Sequence, residues 1–268
     1  MPASPRYDVY DSDIAPVAAL IADPSRAAML TALLDGRPLA AGELARLADV
    51  SPATASAHLG RLLEGGLVAV TRQGRHRYYQ LAGPQIGAVL EAMAEVSPRT
   101  PVRGLHQSRK AAALEQARTC YDHLAGRAGV ALLDALLGKG ILTGADASTE
   151  AGAEAAAGAG VGAGSERSWE HGDRAYDVTA LGSGVLAELG IDVGAARRSR
   201  RRFAGACLDW TQRRPHLNGA LGAAITARLF ELGWIERAAS PSRMTRAVRV
   251  TTAGREGLAG AFGWADDE

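Results

Sequence analysis

The sequence predicts a mainly α protein with small β-wings (α+β), formed by an N-terminal helix–turn–helix unit and a C-terminal domain of two repeated helix/hairpin units. Short amphipathic segments with Asp-Pro and Ser-Pro starts predict helices, and four sequence blocks recur in the same order. Hydrophobic residues make up 47% of the 268 residues, which is enough for packed cores. At roughly 100–200 residues per domain, this length allows two domains.

Composition and charge exclude several classes of protein. Apolar runs stay short of the roughly 18 residues that a membrane span needs, and the first residues lack the apolar core of a signal peptide, so we expect no membrane partner. The two cysteines, Cys120 and Cys207, are too few for a disulfide framework and favour a cytoplasmic location. The net charge of +1 excludes a generally basic surface but permits a local basic patch.

The N-terminal elements follow from their start and stop signals. Asp23-Pro24 begins a helix that ends before Gly36, Ser51-Pro52 begins another that ends at Gly65-Gly66, and Asp49-Val50 forms the turn before it. Besides the helix that begins at Pro24 and stops at Gly36, the predicted helices are Ile14–Ile21, Ala41–Ala48 and Ser51–Glu64.

The helix that begins at Ser51 divides its residues between two faces. Ala55, Leu59 and Leu62 recur at i, i+4 and i+7 and are expected to pack inward. The opposite face is short and polar with a cation at its end, which suits the major groove of DNA. Its residues are Thr54, His58 and Arg61.

A β-hairpin follows, with strands predicted at Leu67–Thr71 and Arg75–Leu81 around Gln73-Gly74. Four arginines and a single acid, Glu64, lie between Ser51 and Leu81, so the local charge is +3. Such a concentration indicates phosphate-backbone binding. The basic residues of the hairpin tip are Arg72, Arg75, His76 and Arg77.

The segments SPATASAHLGRLLEGGLV and RQGRHRYYQL resemble the winged helix–turn–helix of the ArsR/SmtB transcriptional regulators, over a domain of residues 12–97. The resemblance implies a dimer built on helices Ile14–Ile21 and Gln85–Val96. It also implies repression of transcription that an inducer relieves. The residues that it places against bases or phosphates are Ser51, Thr54, Ser56 and His58, with Arg72, Arg75 and Arg77 along the flanking backbone or minor groove.

The chain departs from the metal sensors of that family. Glu43–Asp49 carries no cysteine pair, and Gln85–Glu95 carries no histidine, so neither of the family's usual metal sites can be formed. We therefore predict neither metal nor cofactor from the resemblance.

The remaining sequence predicts a linker at 98–106 and a duplicated regulatory domain at 107–268. The copies span about 107–191 and 197–264, and the first contains a flexible Ala/Gly loop at 143–167. Four blocks, CYDH, LAGRAG, LLGKGIL and VTALG, match CLDW, LNGALG, LFELGWI and VTTAG in the same order, with a short insertion before His216. We interpret each copy as helix, helix, hairpin-like connection, strand and short helix.

The candidate effector or redox residues fall at matching places in the two copies. Cys120 and His123 are three residues apart on a predicted helix, so they would share one face. If the copies pack about a pseudo-twofold axis, the equivalent helices would approach each other. The favoured interpretation is two buried core cysteines with polar histidines and no cofactor. Asp122 and Asp209 would then either anchor a neighbouring arginine or cap a helix. The matching residues of the second copy are Cys207, Asp209, Trp210 and His216.

Two alternatives stay open at these positions, a haem or soft-metal site at Cys120 and Cys207, and thiol redox sensing. For the whole protein, the sequence predicts a dimeric repressor that binds operator DNA and is relieved by a small-molecule or redox signal in the C-terminal domain. The alternatives are a ligand-independent DNA-binding or interaction protein and an enzyme fused to a DNA-binding module. The sequence shows no catalytic motif, so we predict no enzyme.

Overall fold

The computed structural model describes residues 13–98, 104–144, 174–238 and 246–265, and packing divides the chain into two compact units. The first unit comprises residues 1–33 and 38–83, and the second comprises 34–37 and 84–268. Most of the predicted linker 98–106 and of the predicted Ala/Gly loop 143–167 lies outside the described residues.

The first unit is a winged helix–turn–helix. Leu59 and Leu62 are fully buried with Met29, Leu30 and Leu44, so one apolar face of each helix closes a common core. Strand β3 lies between β1 and β2 in a three-stranded antiparallel sheet. The elements are α1 (Ala15–Ile21), α2 (Pro24–Leu33), β1 (Leu39–Ala40), α3 (Ala41–Leu47), α4 (Pro52–Glu64), β2 (Val68–Gln73) and β3 (His76–Leu81).

The second unit repeats one pattern twice: helix, hairpin, helix, two-stranded wing and helix. It begins with α5 (Pro84–Val96), which packing assigns to this unit although the sequence predicted it within the domain 12–97. The first copy is α6 (Leu105–Gln116), β4 (Arg118–Cys120), β5 (His123–Ala125), α7 (Gly126–Gly138), β6 (Leu142–Gly144), β7 (Tyr176–Val178) and α8 (Ala180–Glu188). The second copy is α9 (Val193–Arg198), β8 (Gly205–Leu208), β9 (Pro215–Asn218), α10 (Gly219–Glu231), β10 (Ile235–Arg237), β11 (Val248–Val250) and α11 (Thr252–Phe262).

Equivalent residues perform equivalent tasks in the two copies. The Thr179 side chain accepts a hydrogen bond from the Gly182 N–H and donates one to the Gly140 carbonyl at 2.7 Å. Thr251 accepts likewise from the Gly254 N–H and donates to the Gly233 carbonyl at 2.8 Å. Each threonine therefore caps the last helix of its copy and ties it to the preceding turn.

The copies exchange contacts across their hairpins. Helix α7 of the first copy packs on β9 of the second, and α10 of the second packs on β5 of the first. A Cβ atom added to Gly129 would lie 3.6 Å from Cβ of His216, and one added to Gly222 would lie 3.4 Å from Cβ of His123. These reciprocal contacts give the unit one core, to which both copies contribute.

The predicted fold class, mainly α with small β-wings, is confirmed. One element of the repeat was predicted wrongly: the segment around each cysteine is a β-hairpin, not a helix. The sequence Cys-Tyr-Asp-His closes a two-residue turn in which Tyr121 adopts a positive φ of 61°. In the second copy, the insertion before His216 forms the longer loop of the hairpin β8–β9.

Candidate functional sites

Helix α4 presents a polar face beside the basic wing. Its buried positions are Ala55, Leu59 and Leu62, as the spacing predicts. The Ser51 hydroxyl caps the helix by accepting a hydrogen bond from the Thr54 N–H at 3.1 Å. Four of the predicted DNA-binding residues of this region are exposed, namely Ser51, Thr54, Ser56 and Arg61.

His58 differs from the other predicted residues of α4 because its side chain is mostly covered. Its Nδ1 atom lies 3.9 Å from a carboxylate oxygen of Asp23 and 3.5 Å from Nη1 of Arg26. Arg26 also donates to the carbonyls of Ala19 and Leu20 at the end of α1. His58 therefore contributes to the packing of α4 against the start of α2. The sequence did not predict the part played by Arg26.

The wing carries its predicted cations in solvent. Strands β2 and β3 pair Arg72 directly opposite Arg77 and Gln73 opposite His76, around a turn at Gly74 and Arg75. Like charges directly opposite each other destabilise a strand pair. A negatively charged partner would relieve this repulsion. All four predicted wing residues, Arg72, Arg75, His76 and Arg77, are exposed.

The candidate residues of the second unit meet at the two hairpins. Cys120 is the cross-strand partner of His123 in β4–β5, and Cys207 is the partner of His216 in β8–β9. One sulfur or ring-nitrogen atom from each of the four residues lies within 4.8 Å of the others. We call this group the Cys–His cluster. The pseudo-twofold packing thus brings equivalent hairpins together, rather than the predicted helices.

The cluster is buried, with exposed fractions of 1% for Cys120, 5% for His123 and 1% for His216. Cys207 is partly exposed and accepts a hydrogen bond from Nδ2 of Asn218 at 2.9 Å. The imidazole rings stack with their centroids 5.2 Å apart. Within the described residues, Nε2 of His123 and both ring nitrogens of His216 have no hydrogen-bond partner. A buried polar atom without a partner is costly, so the cluster is suited to a ligand.

A carboxylate lies behind each histidine. The Asp122 carboxylate is 3.4 Å from Nδ1 of His123, and the Asp209 carboxylate is 3.7 Å from Nδ1 of His216. Both contacts are on the Nδ1 side, so each Nε2 atom is left for the cluster. A carboxylate behind a histidine is the usual support of a metal-binding imidazole.

An arginine holds each of these carboxylates, which is one of the two roles that the sequence left open for the repeated aspartates. Arg201 forms an ion pair with Asp122. Arg118, which is fully buried, lies 3.0 Å from Asp209 and 3.8 Å from Glu91. The guanidinium of Arg118 also stacks over the ring of Trp210, so the predicted Trp210 packs beside the cluster rather than in it. Sequence reasoning missed Arg118 and Glu91.

Mutual contacts set the protonation of the cluster. A hydrogen bond with Cys120 lowers the pKa of the Cys207 thiol against the effect of burial, whereas that same bond and burial raise the pKa of Cys120. Burial alone would lower the pKa of His123, but the Asp122 carboxylate beside Nδ1 and the nearby negative charge on Cys207 raise it to about 9. Burial and the charge on His123 lower the pKa of His216 to about 3. Without a ligand, the cluster therefore combines a thiolate at Cys207 and a neutral imidazole at His216 with a thiol at Cys120 and an imidazolium at His123. A metal ion would displace the protons of Cys120 and His123.

The hairpin β4–β5 also holds the segment Leu34–Arg37, which directly follows α2 in the chain. The Tyr121 N–H donates to the carbonyl of Leu34 at 3.0 Å, and the Thr119 hydroxyl lies 3.4 Å from Asp35. A Cβ atom at Gly36 would lie 2.5 Å from the Tyr121 carbonyl oxygen, so only glycine fits there. The residue after Cys120 is therefore tied to the segment between α2 and β1.

The first unit, with its exposed recognition helix and basic wing, defines the class of winged helix–turn–helix DNA-binding regulators. A family model described as "Helix-turn-helix domain" matches residues 21–71. The chain belongs to the HTH-type transcriptional regulators, since it is 39% identical over 243 residues to the HTH-type transcriptional regulator YdfF of Bacillus subtilis (strain 168), covering 91% of this chain and 94% of that protein. The prediction of a winged helix–turn–helix transcriptional regulator is confirmed.

Solved structures match about a third of the chain. NolR from Sinorhizobium fredii is 27% identical, covers 32% of this chain and 85% of its own, and superposes with a TM-score of 0.30. The cadmium metal-sensor CmtR from Mycobacterium tuberculosis is 31% identical, covers 35% of this chain and 99% of its own, and gives a TM-score of 0.27. Within the described residues, no helix has the length and apolar character of a membrane span.

Proposed function

We propose that the protein is a dimeric repressor that binds operator DNA through α4 and the wing and is released by a signal received at the Cys–His cluster. One observation supports DNA binding most strongly: Thr54, Arg61 and the wing cations are exposed on elements whose other faces pack into the core. The cations bind phosphates, and the polar residues of α4 read the major groove. We propose regulation rather than catalysis, in the cytoplasm where the DNA partner lies.

Two exposed apolar faces support the proposed dimer. At the start of α1, its N-cap residue Ile14 and Val17 are exposed. In α5, Val89, Met93 and Val96 are exposed at i, i+4 and i+7. Helices of this kind bury such a stripe against a partner. These are the two helices that the resemblance to ArsR/SmtB regulators implies for dimerisation.

Light scattering on the full chain tests the dimer. We expect a dimer for the wild type and a shift toward monomer for Met93→Glu, because a charge in the apolar stripe opposes burial. Ala88→Glu places the same charge on another exposed part of α5 and serves as the control. A wild-type monomer, or equal effects of the two substitutions, would contradict this interface.

DNA binding is tested by fluorescence anisotropy with a labelled duplex from the region upstream of the protein's own gene. We expect tighter binding to this duplex than to a scrambled one, and a linear fall of log affinity with log salt concentration. A dimer predicts two half-sites about one helical turn apart. Equal affinity for both duplexes would contradict a sequence-specific regulator.

A further inference from the structure

We propose that the Cys–His cluster is a binding site for one Zn²⁺ ion, held by Cys120, His123, Cys207 and His216. This inference names the ligand of the site through which the proposed function is regulated, and therefore rests on that function only for its regulatory part. The site lies entirely within the duplicated unit, outside the helix–turn–helix.

The ligand set is the first argument. Two cysteine sulfurs and two imidazole nitrogens form a tetrahedral set that suits Zn²⁺. Zinc–sulfur and zinc–nitrogen bonds of about 2.3 and 2.0–2.1 Å place ligand atoms about 3.3–3.8 Å apart in a tetrahedron. The four atoms of the cluster already lie within 4.8 Å of one another. Side-chain movements of the order of 1 Å would therefore complete the coordination.

The unpartnered ring nitrogens are the second argument. His123 and His216 are buried, yet Nε2 of each lacks a hydrogen-bond partner. The carboxylates of Asp122 and Asp209 lie on the Nδ1 side, which leaves each Nε2 for the ion. An apolar packing role for the two histidines would leave the cost of these nitrogens unexplained.

The source of the ligands is the third argument. Each hairpin supplies one cysteine and one histidine from directly opposed strand positions, so neither copy alone provides four ligands. The exchange of α7 and α10 across the hairpins holds the two pairs together. Cys207 is partly exposed and gives the ion a route of entry.

Coordination would tighten the contact between the two hairpins. The hairpin β4–β5 also holds Leu34 and Asp35 through Tyr121 and Thr119, and Arg237 of the second copy forms an ion pair with Asp35. Both hairpin-bearing copies therefore contact the segment that directly follows α2 in the chain. This provides a physical route by which the bound ion changes operator affinity.

The test begins with metal binding by the reduced, metal-free full chain, without DNA. We expect one Zn²⁺ per chain by competition with a chromophoric chelator. Co²⁺ as a spectroscopic probe should give the visible bands of a tetrahedral ion and a thiolate charge-transfer band. His216→Gln and Cys207→Ser should lose these signals, whereas the exposed His76→Gln should keep them. Circular dichroism identifies any variant that fails to fold, and the wild-type stoichiometry does not depend on the variants.

Three results would overturn the proposal. The first is a reduced wild type that binds no zinc or cobalt, and the second is Co²⁺ spectra unchanged by either cluster substitution. The third is a wild type that forms a Cys120–Cys207 disulfide in air and binds no metal, since the cluster would then be a redox pair. Operator binding is measured separately on the same samples. A chain that binds DNA but not zinc contradicts only this inference, and one that binds zinc but not DNA contradicts only the proposed function.

Discussion

The arginines of the two units face opposite environments. Arg72, Arg75 and Arg77 of the wing lie in solvent, whereas Arg118 is completely buried between Asp209 and Glu91. The wing cations contribute little to the fold and are available to an external polyanion. The buried arginine holds a carboxylate behind a histidine of the Cys–His cluster. The exposed charge of the first unit thus indicates a macromolecular partner. The buried charge of the second unit indicates a ligand-binding site in its interior.

The largest effect on stability is expected from a substitution of the buried Arg118. Arg118→Met leaves the Asp209 and Glu91 carboxylates buried without their cation, and we expect a loss of about 3–5 kcal/mol in the free energy of unfolding. Urea denaturation measures this loss as a change in the unfolding transition of the second unit. The control is Arg249→Met, which removes an exposed arginine paired with Glu236 and should cost at most about 1 kcal/mol. Equal losses for the two variants would contradict the conclusion that the buried Arg118 contributes more to stability than an exposed arginine does.

The wing tests the exposed side. Replacing Arg72, Arg75 and Arg77 together with alanine should weaken operator binding by about a hundredfold or more, because hydrogen bonds to charged groups contribute about 1.5–3 kcal/mol each. The slope of log affinity against log salt should also become shallower. The free energy of unfolding should stay within about 0.5 kcal/mol of wild type. Arg214→Ala, at an exposed site of the second unit, is the control, and a wing variant with wild-type affinity would refute the assignment.

The two copies of the second unit offer a smaller, internal comparison. Thr179→Ala and Thr251→Ala remove equivalent helix caps, so each should lower the free energy of unfolding by about 1 kcal/mol. Ser183→Ala, at an exposed position of α8, should change it by less than about 0.5 kcal/mol. Thermal denaturation of the three variants provides the measurement. Strongly unequal effects of the two threonines would show that the copies are not energetically equivalent.

Local signals predicted the first unit well. The Ser51-Pro52 start and the spacing of Ala55, Leu59 and Leu62 suffice to place α4, because caps and apolar periodicity act within a few residues. The covered position of His58 could not be predicted in this way. It depends on Asp23 and Arg26, which lie more than thirty residues earlier in the chain.

The second unit shows where sequence reasoning stops. The internal repeat predicted equivalent cysteines, which would meet if the copies packed about a pseudo-twofold axis. The helical interpretation of the spacing between Cys120 and His123 is wrong. Tyr121 has a positive φ in the two-residue turn of the hairpin β4–β5. Tyrosine rarely adopts that conformation, so the sequence contains no residue that would distinguish the turn from a helix. The partnership of Arg118 with Glu91 and Asp209 arises only from tertiary packing.

The most direct test of the account measures operator affinity of the reduced full chain with and without Zn²⁺, for the wild type and for His216→Gln. We expect zinc to lower wild-type operator affinity by about tenfold or more, a coupling of typical size for allosteric proteins. The variant should bind operator with the same affinity at either zinc level. Wild-type affinity that stays constant while zinc is shown to be bound would contradict the claim that the Cys–His cluster regulates DNA binding.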